Sequence, residues 1–69
     1  MKGINFTMKR LRGDKSQREV AKELKIPVST YAMIELGNRF PRPELQLKLA
    51  NYFGLTVDEL FFNKNGHEL

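Results

Sequence analysis

The 69-residue sequence has no cysteine and no tryptophan, a single histidine and three prolines. Without cysteine there are no disulfides and no thiolate metal ligands, the usual staples of a small scaffold, and the composition fits a reducing compartment. The lone imidazole, His67, has no second imidazole or thiolate to complete a zinc site, so no metal and no cofactor is expected. The longest apolar runs are a few residues, too short for a bilayer-spanning helix or a signal-peptide core. No stretch alternates with the period of a strand, and there is neither internal repeat nor low-complexity segment. What remains is 41% hydrophobic and 29% charged, the balance of a globular chain. This length suits one domain, 1–69, and excludes a two-domain enzyme or a large sheet with a cofactor crevice. The expectation is a soluble, cytoplasmic, all-α protein.

Charge is uneven along the chain. Residues 2–42 carry ten Lys/Arg against four acids, and residues 43–69 carry two against four. With a pI near 9.7, the basic two-thirds favours a polyanionic partner. Charge alone is equally consistent with a solvated surface that maintains solubility.

The helical pattern is dense. Ile4, Met8 and Leu11 form an i, i+4, i+7 stripe with Arg12 beside it, ending at the turn dipeptide Gly13-Asp14. Ser16 and Glu19 have the spacing of a capping box, which predicts a second helix from Gln17 to Leu24 with Val20, Ala21 and Leu24 inward. Pro27 suits a helix start, so a third helix runs from Val28 to Leu36 and closes at Gly37. Tyr31 and Ile34 mark its inner face. Pro41-Arg42-Pro43 forces an extended loop before a fourth helix with Leu45, Leu49 and Phe53 inward, ending at Gly54. Thr56 and Glu59 repeat the capping-box spacing and open a short fifth helix through Leu60, Phe61 and Phe62. Residues 63–69 lack periodicity and are expected to form a flexible tail. The fold class is therefore a compact five-helix, all-α domain.

The second and third helices are separated by about three residues, the connection of a helix-turn-helix unit. Here the sequence resembles the phage-repressor-like helix-turn-helix family typified by Cro and the lambdoid repressors, also called the XRE family. The residues that carry it are Leu11-Arg12, Ser16-Gln17, Val20-Ala21, Ser29-Thr30-Tyr31, Ile34-Glu35, Gly37, Pro41, Leu45, Leu47, Leu49-Ala50, Gly54 and Val57 to Phe61. The resemblance covers residues 5–62. Three departures stand out: a shorter link before Ser16, Lys25 where a glycine is common, and Pro27 in place of a Ser or Thr cap.

The resemblance implies double-stranded DNA as the partner. It places Gln17, at the start of helix two, on a phosphate, where the helix dipole assists, and Arg39 and Arg42 on the DNA backbone. Arg18 is a further phosphate candidate, as are Lys15 and Lys25, although each is equally readable as a surface charge. On helix three, steps of about 100° per residue turn Ser29, Ala32, Met33 and Leu36 outward, with Val28 near the start and Thr30 at the edge. The base-contacting candidates are Val28, Ser29, Thr30, Ala32 and Met33. That stripe has no Arg, Lys, Asn or Gln, so it lacks the bidentate groups that read guanine and adenine. It offers hydroxyls and apolar contacts to thymine methyls, which shifts specificity toward DNA shape. Arg12 and Glu35 lie on facing inward stripes and are expected to pair, as the resemblance also implies.

No catalytic constellation emerges. Asp58-Glu59 is explained by a helix start, no nucleophile has a base at useful spacing, and no glycine-rich phosphate loop follows a strand. The reading is a DNA-binding transcriptional repressor, a homodimer on a short inverted repeat. The alternative is a protein-interaction module, antirepressor- or antitoxin-like, docking a partner on the outward face of helix three. Phe62 has little of a small domain left to cover it, which points to a two-fold contact with Val57 or to folding back on helix four.

Overall fold

Asn5 starts the first helix. In the computed structural model, which describes residues 3–62, its Oδ1 accepts from the Met8 amide at 3.0 Å and caps α1 (Phe6–Arg12). A turn at Gly13-Asp14 leads to α2 (Gln17–Leu24), opened by the expected capping box. The Ser16 hydroxyl accepts from Glu19 N at 3.0 Å, and the Glu19 carboxylate accepts from Ser16 N at 2.7 Å. Two backbone donors that the helix leaves unpaired are thereby satisfied. After Lys25–Pro27 comes α3 (Val28–Leu36), and after an extended loop α4 (Pro43–Phe53), with proline at its first position. The last element, α5 (Asp58–Phe62), is a single π-helical turn where an ordinary short helix was expected. Its start is nevertheless capped reciprocally: Thr56 N donates to Glu59 at 2.9 Å and Glu59 N to Thr56 Oγ1 at 3.0 Å. None of these helices is long and apolar enough to cross a membrane. The expected tail 63–69, and His67 with it, lies outside the described residues.

The core is built from every helix. Met8 comes from α1, Val20, Ala21 and Leu24 from α2, Tyr31 and Ile34 from α3, Leu49 and Ala50 from α4, and Leu60 from α5. Leu45, Phe53 and Val57 pack around its rim, half-buried. The inward face of α1 is shifted from the expected one. Ile4 and Leu11 remain 41% and 43% exposed, and Met8 alone of that stripe is buried. Ile4 precedes the helix, so helical spacing does not apply to it. The face that meets the body is Asn5, Met8 and Arg12. Asn5 Nδ2 donates to the Leu60 carbonyl at 3.1 Å, and Asn5 N to the Glu35 carbonyl at 2.8 Å. One residue thus ties the start of α1 to the end of α3 and to α5.

Gly37 ends α3 at φ 83°, a left-handed conformation in which a side chain is strained. A Cβ there would also run into the Gly3 backbone. Its neighbours Asn38 and Arg39 both donate their amides to the Met33 carbonyl, at 2.9 and 3.2 Å, folding the following loop back over the α3 C-terminus.

Candidate nucleic-acid interface

The α2–α3 unit is held by a three-residue turn. Lys25 takes the left-handed conformation, φ 62° and ψ 42°, as the only non-glycine residue with positive φ among those described. This is the position where the resembling family commonly has glycine. Ile26 N then donates to the Ala21 carbonyl at 3.0 Å, and the Ile26 side chain packs on the core. Pro27 supplies extended backbone, and no side chain caps α3. Proline has neither a hydroxyl nor an amide to do so.

On α3, Tyr31, Ile34 and Glu35 are buried. Ser29, Met33 and Leu36 are exposed, and Thr30 and Ala32 are half-buried beside them, whereas Val28, also half-buried, packs against the core. The outward surface therefore holds two hydroxyls, aliphatic groups and a thioether, with no charge of either sign. Glu35, the one acid of α3, points inward and is fully engaged. Its carboxylate accepts from Arg12 Nε and Nη2, each at 3.0 Å, from Gln17 Nε2 at 2.9 Å and from the Tyr31 hydroxyl at 2.8 Å. Arg12 Nη1 also donates to the Lys15 carbonyl at 2.9 Å, pinning the link between α1 and α2. The side chains are 17% and 5% exposed for Arg12 and Glu35. Burial alone would raise the Glu35 carboxyl, but the hydrogen bonds from Arg12, Gln17 and Tyr31 outweigh it and hold it below its ordinary value. The Tyr31 phenol moves up, first through burial and then through its bond to the carboxylate.

The phosphate candidates fall into two groups. Gln17 is half-buried and spends an amide hydrogen on Glu35, so its side chain is partly committed to the network. Lys15 is committed as well: it pairs with Glu23 at 3.0 Å, bonds the Tyr52 hydroxyl at 3.3 Å and sits 5.7 Å from the Tyr52 ring centroid, while that hydroxyl donates to Glu23. Arg18, Lys25, Arg39 and Arg42 are exposed. Among the described residues the ion pairs are Arg12–Glu35 and Lys15–Glu23, so these four cations are unpaired there. Arg39 and Arg42 flank an open pocket of about 440 Å³ shared with Phe40, Pro41, Glu44 and Leu45. Pro41 is buried, and its carbonyl accepts from Gln46 Nε2 at 2.8 Å, which fixes the loop onto α4.

Phe62 is 48% exposed. Its aromatic neighbour is Phe40, at 5.6 Å between centroids in an edge-to-face arrangement, and Phe40 meets Phe61 in the same way. The contact is thus with the loop before α4, whereas Val57 packs against the core of its own chain. Phe6 and Phe40, 63% and 59% exposed, add to the aromatic surface. Two residues escaped sequence reasoning. Asn5 is a residue type that caps helix starts, but it falls inside the stripe that begins at Ile4, which hid the start at Phe6; Phe40 carried no local signal, because its partners are distant in sequence.

No curated protein and no solved structure matches the chain. A family model described as Helix-turn-helix matches residues 8–60, from the buried Met8 to the buried Leu60, and so takes in the whole core and the α2–α3 unit. The chain belongs to this helix-turn-helix family of DNA-binding transcription regulators, the group typified by Cro and the lambdoid repressors.

Proposed function

We propose that this chain is a sequence-specific repressor that binds double-stranded DNA as a homodimer on a short inverted repeat. In this reading α3 enters the major groove and presents Val28, Ser29, Thr30, Ala32 and Met33 to base edges. Arg18, Arg39 and Arg42 meet phosphates, joined by the Gln17 backbone amide and whatever donor its side chain retains from Glu35. Arg12 and Glu35 hold the relative placement of α1, α2 and α3. Phe62, and with it the half-buried Val57, contributes to the two-fold contact.

The observation that supports the reading best is the outer face of α3. It is acid-free because Glu35 is turned inward, and Arg39 is folded back over its C-terminal end. An anion approaching that face meets no carboxylate on α3. Binding to a duplex of arbitrary sequence, followed as salt is raised, tests it. Phosphate neutralisation predicts that log affinity falls linearly with log salt, with a slope near the number of phosphates contacted. The exposed Met33 and Leu36 favour a second reading, in which α3 docks a protein partner. Absence of duplex binding at low salt would select it.

A further inference from the structure

The outer face of α3 combines access with very little hydrogen-bonding chemistry. Met33 and Leu36 are 40% and 49% exposed, Ser29 is exposed, and Thr30 and Ala32 are half-buried beside them, while Val28 packs against the core. In the major groove a base is identified by fixed donors and acceptors or by the C5-methyl group of thymine. Amides and guanidinium groups impose a fixed pattern. A hydroxyl does not, because it rotates to donate or to accept. Aliphatic carbons and a thioether find only one apolar feature to cover in that groove, the methyl group.

We propose that α3 reads the C5-methyl group of pyrimidines, and therefore accepts 5-methylcytosine in place of thymine. The inference rests on the placement of α3 in the major groove and goes beyond it by naming the group that is recognised. Thymine and 5-methylcytosine share the methyl and differ beside it, an O4 acceptor against an N4 donor. A reader built from Asn, Gln or Arg would reject the exchange. The Ser29 and Thr30 hydroxyls satisfy either pattern, and Met33, unbranched with three rotatable bonds, adapts its thioether to the methyl in both. A polyanion as the occupant, in place of an apolar peptide, rests on the DNA-binding family to which the chain belongs and on the basic residues outside α3, the face itself being uncharged. Arg18, Lys25, Arg39 and Arg42 are exposed and without ion pairs among the described residues, while the only acid of α3 is buried against Arg12.

The experiment varies the DNA and leaves the protein intact. A preferred duplex is first selected from random sequences with the full chain. At each thymine of a half-site, affinity is then measured with thymine, uracil, cytosine and 5-methylcytosine, each paired with its own complement. Uracil at a contacted position should bind about fourfold more weakly, the effect of one uncovered methyl. Cytosine should fall with uracil, and 5-methylcytosine should recover to within about twofold of thymine on the same one-methyl scale. Met33→Ala should shrink the thymine–uracil difference at one position while the salt slope stays unchanged; Leu36→Ala provides a second, more exposed probe. Retained sequence preference with no response to uracil anywhere would overturn the methyl reading and leave the DNA-binding function intact. So would 5-methylcytosine binding as poorly as cytosine, since the hydrogen-bonding edge of the base pair, O4 with adenine N6 against N4 with guanine O6, would then be the feature read. Absence of binding to any duplex at low salt would overturn both.

Discussion

Glu35 brings three helices to one carboxylate: Arg12 from α1, Gln17 from α2, and Tyr31 from its own α3. Four hydrogen bonds satisfy a group that burial would otherwise penalise. Truncating it leaves Arg12 largely covered without a counter-charge. Glu35→Leu should therefore cost about 3 kcal/mol, the low end for a stranded buried charge because Arg12 keeps some solvent. In a double-mutant cycle with Arg12→Met, absence of coupling in denaturant unfolding would contradict the pair. The carboxyl lies below its ordinary value of 4.5 when folded. Its contribution is complete above that value and is lost as pH falls through the lower folded one. As pH falls below 4.5 the parent should lose more stability than Glu35→Gln, which has no proton to take up there. A parallel loss in both proteins would remove Glu35 from the acid response. Lys25 acts in the opposite sense, since its φ of 62° is a conformation that L-residues adopt at a cost. Lys25→Gly should raise stability by about 0.5–1 kcal/mol after allowing for the greater freedom of glycine in the unfolded chain. A lower midpoint would mean that the lysine side chain makes a compensating contact.

The helices most legible in the sequence are those whose ends carry local chemistry. Ser16 with Glu19 marked the start of α2, and Pro27 and Gly37 bracketed α3, because caps depend on residues three or four apart. The face of α1 was not legible in the same way. Stripes beginning at Ile4 or at Asn5 both have helical spacing, and the choice was made by Leu60, 55 residues away, and by the Glu35 carbonyl. Gln17 turning to Glu35 and Phe40 meeting Phe61 and Phe62 are likewise tertiary facts with no local signature. The loop into α4 shows both levels. Pro43 at the first helical position was legible, whereas the Gln46 bond that fixes the loop was not. Arg42 stands at the N-cap of α4, exposed and outside the ion pairs of the described residues, which suits the proposed phosphate contact. Arg42→Ala should weaken binding to all duplexes nearly alike and lower the salt slope by about one. An effect confined to one base position would instead assign it to readout.

The described body measures 31 × 25 × 23 Å, a little less than the spacing of about 34 Å between major-groove faces one DNA turn apart. Two copies side by side could then address adjacent half-sites, provided that they touch at their edges. The exposed aromatics suit such an edge. Phe40 and Phe62 pack on each other, yet remain 59% and 48% exposed, and Phe6 and Ile4 add 63% and 41%. Fully burying a phenylalanine is worth roughly 1.5–3 kcal/mol, and Phe62 is already half covered, so a two-fold contact that covers the rest of it in each copy recovers about that amount in total. A single carboxylate placed at its centre should reverse the balance, because burial among phenylalanine rings would strip it of water. The fold should tolerate that change. Phe62 is the last residue of α5 and lies outside the buried core, which closes at Leu60. In sedimentation equilibrium at tens of micromolar, the parent is expected as a dimer and Phe62→Asp as a folded monomer with unchanged helical circular dichroism. DNA binding should follow the same division, the variant keeping its affinity for one half-site and losing the gain from two. A parent that sediments as a monomer, or a variant that remains dimeric, would place the two-fold contact elsewhere and leave the aromatic edge to another partner.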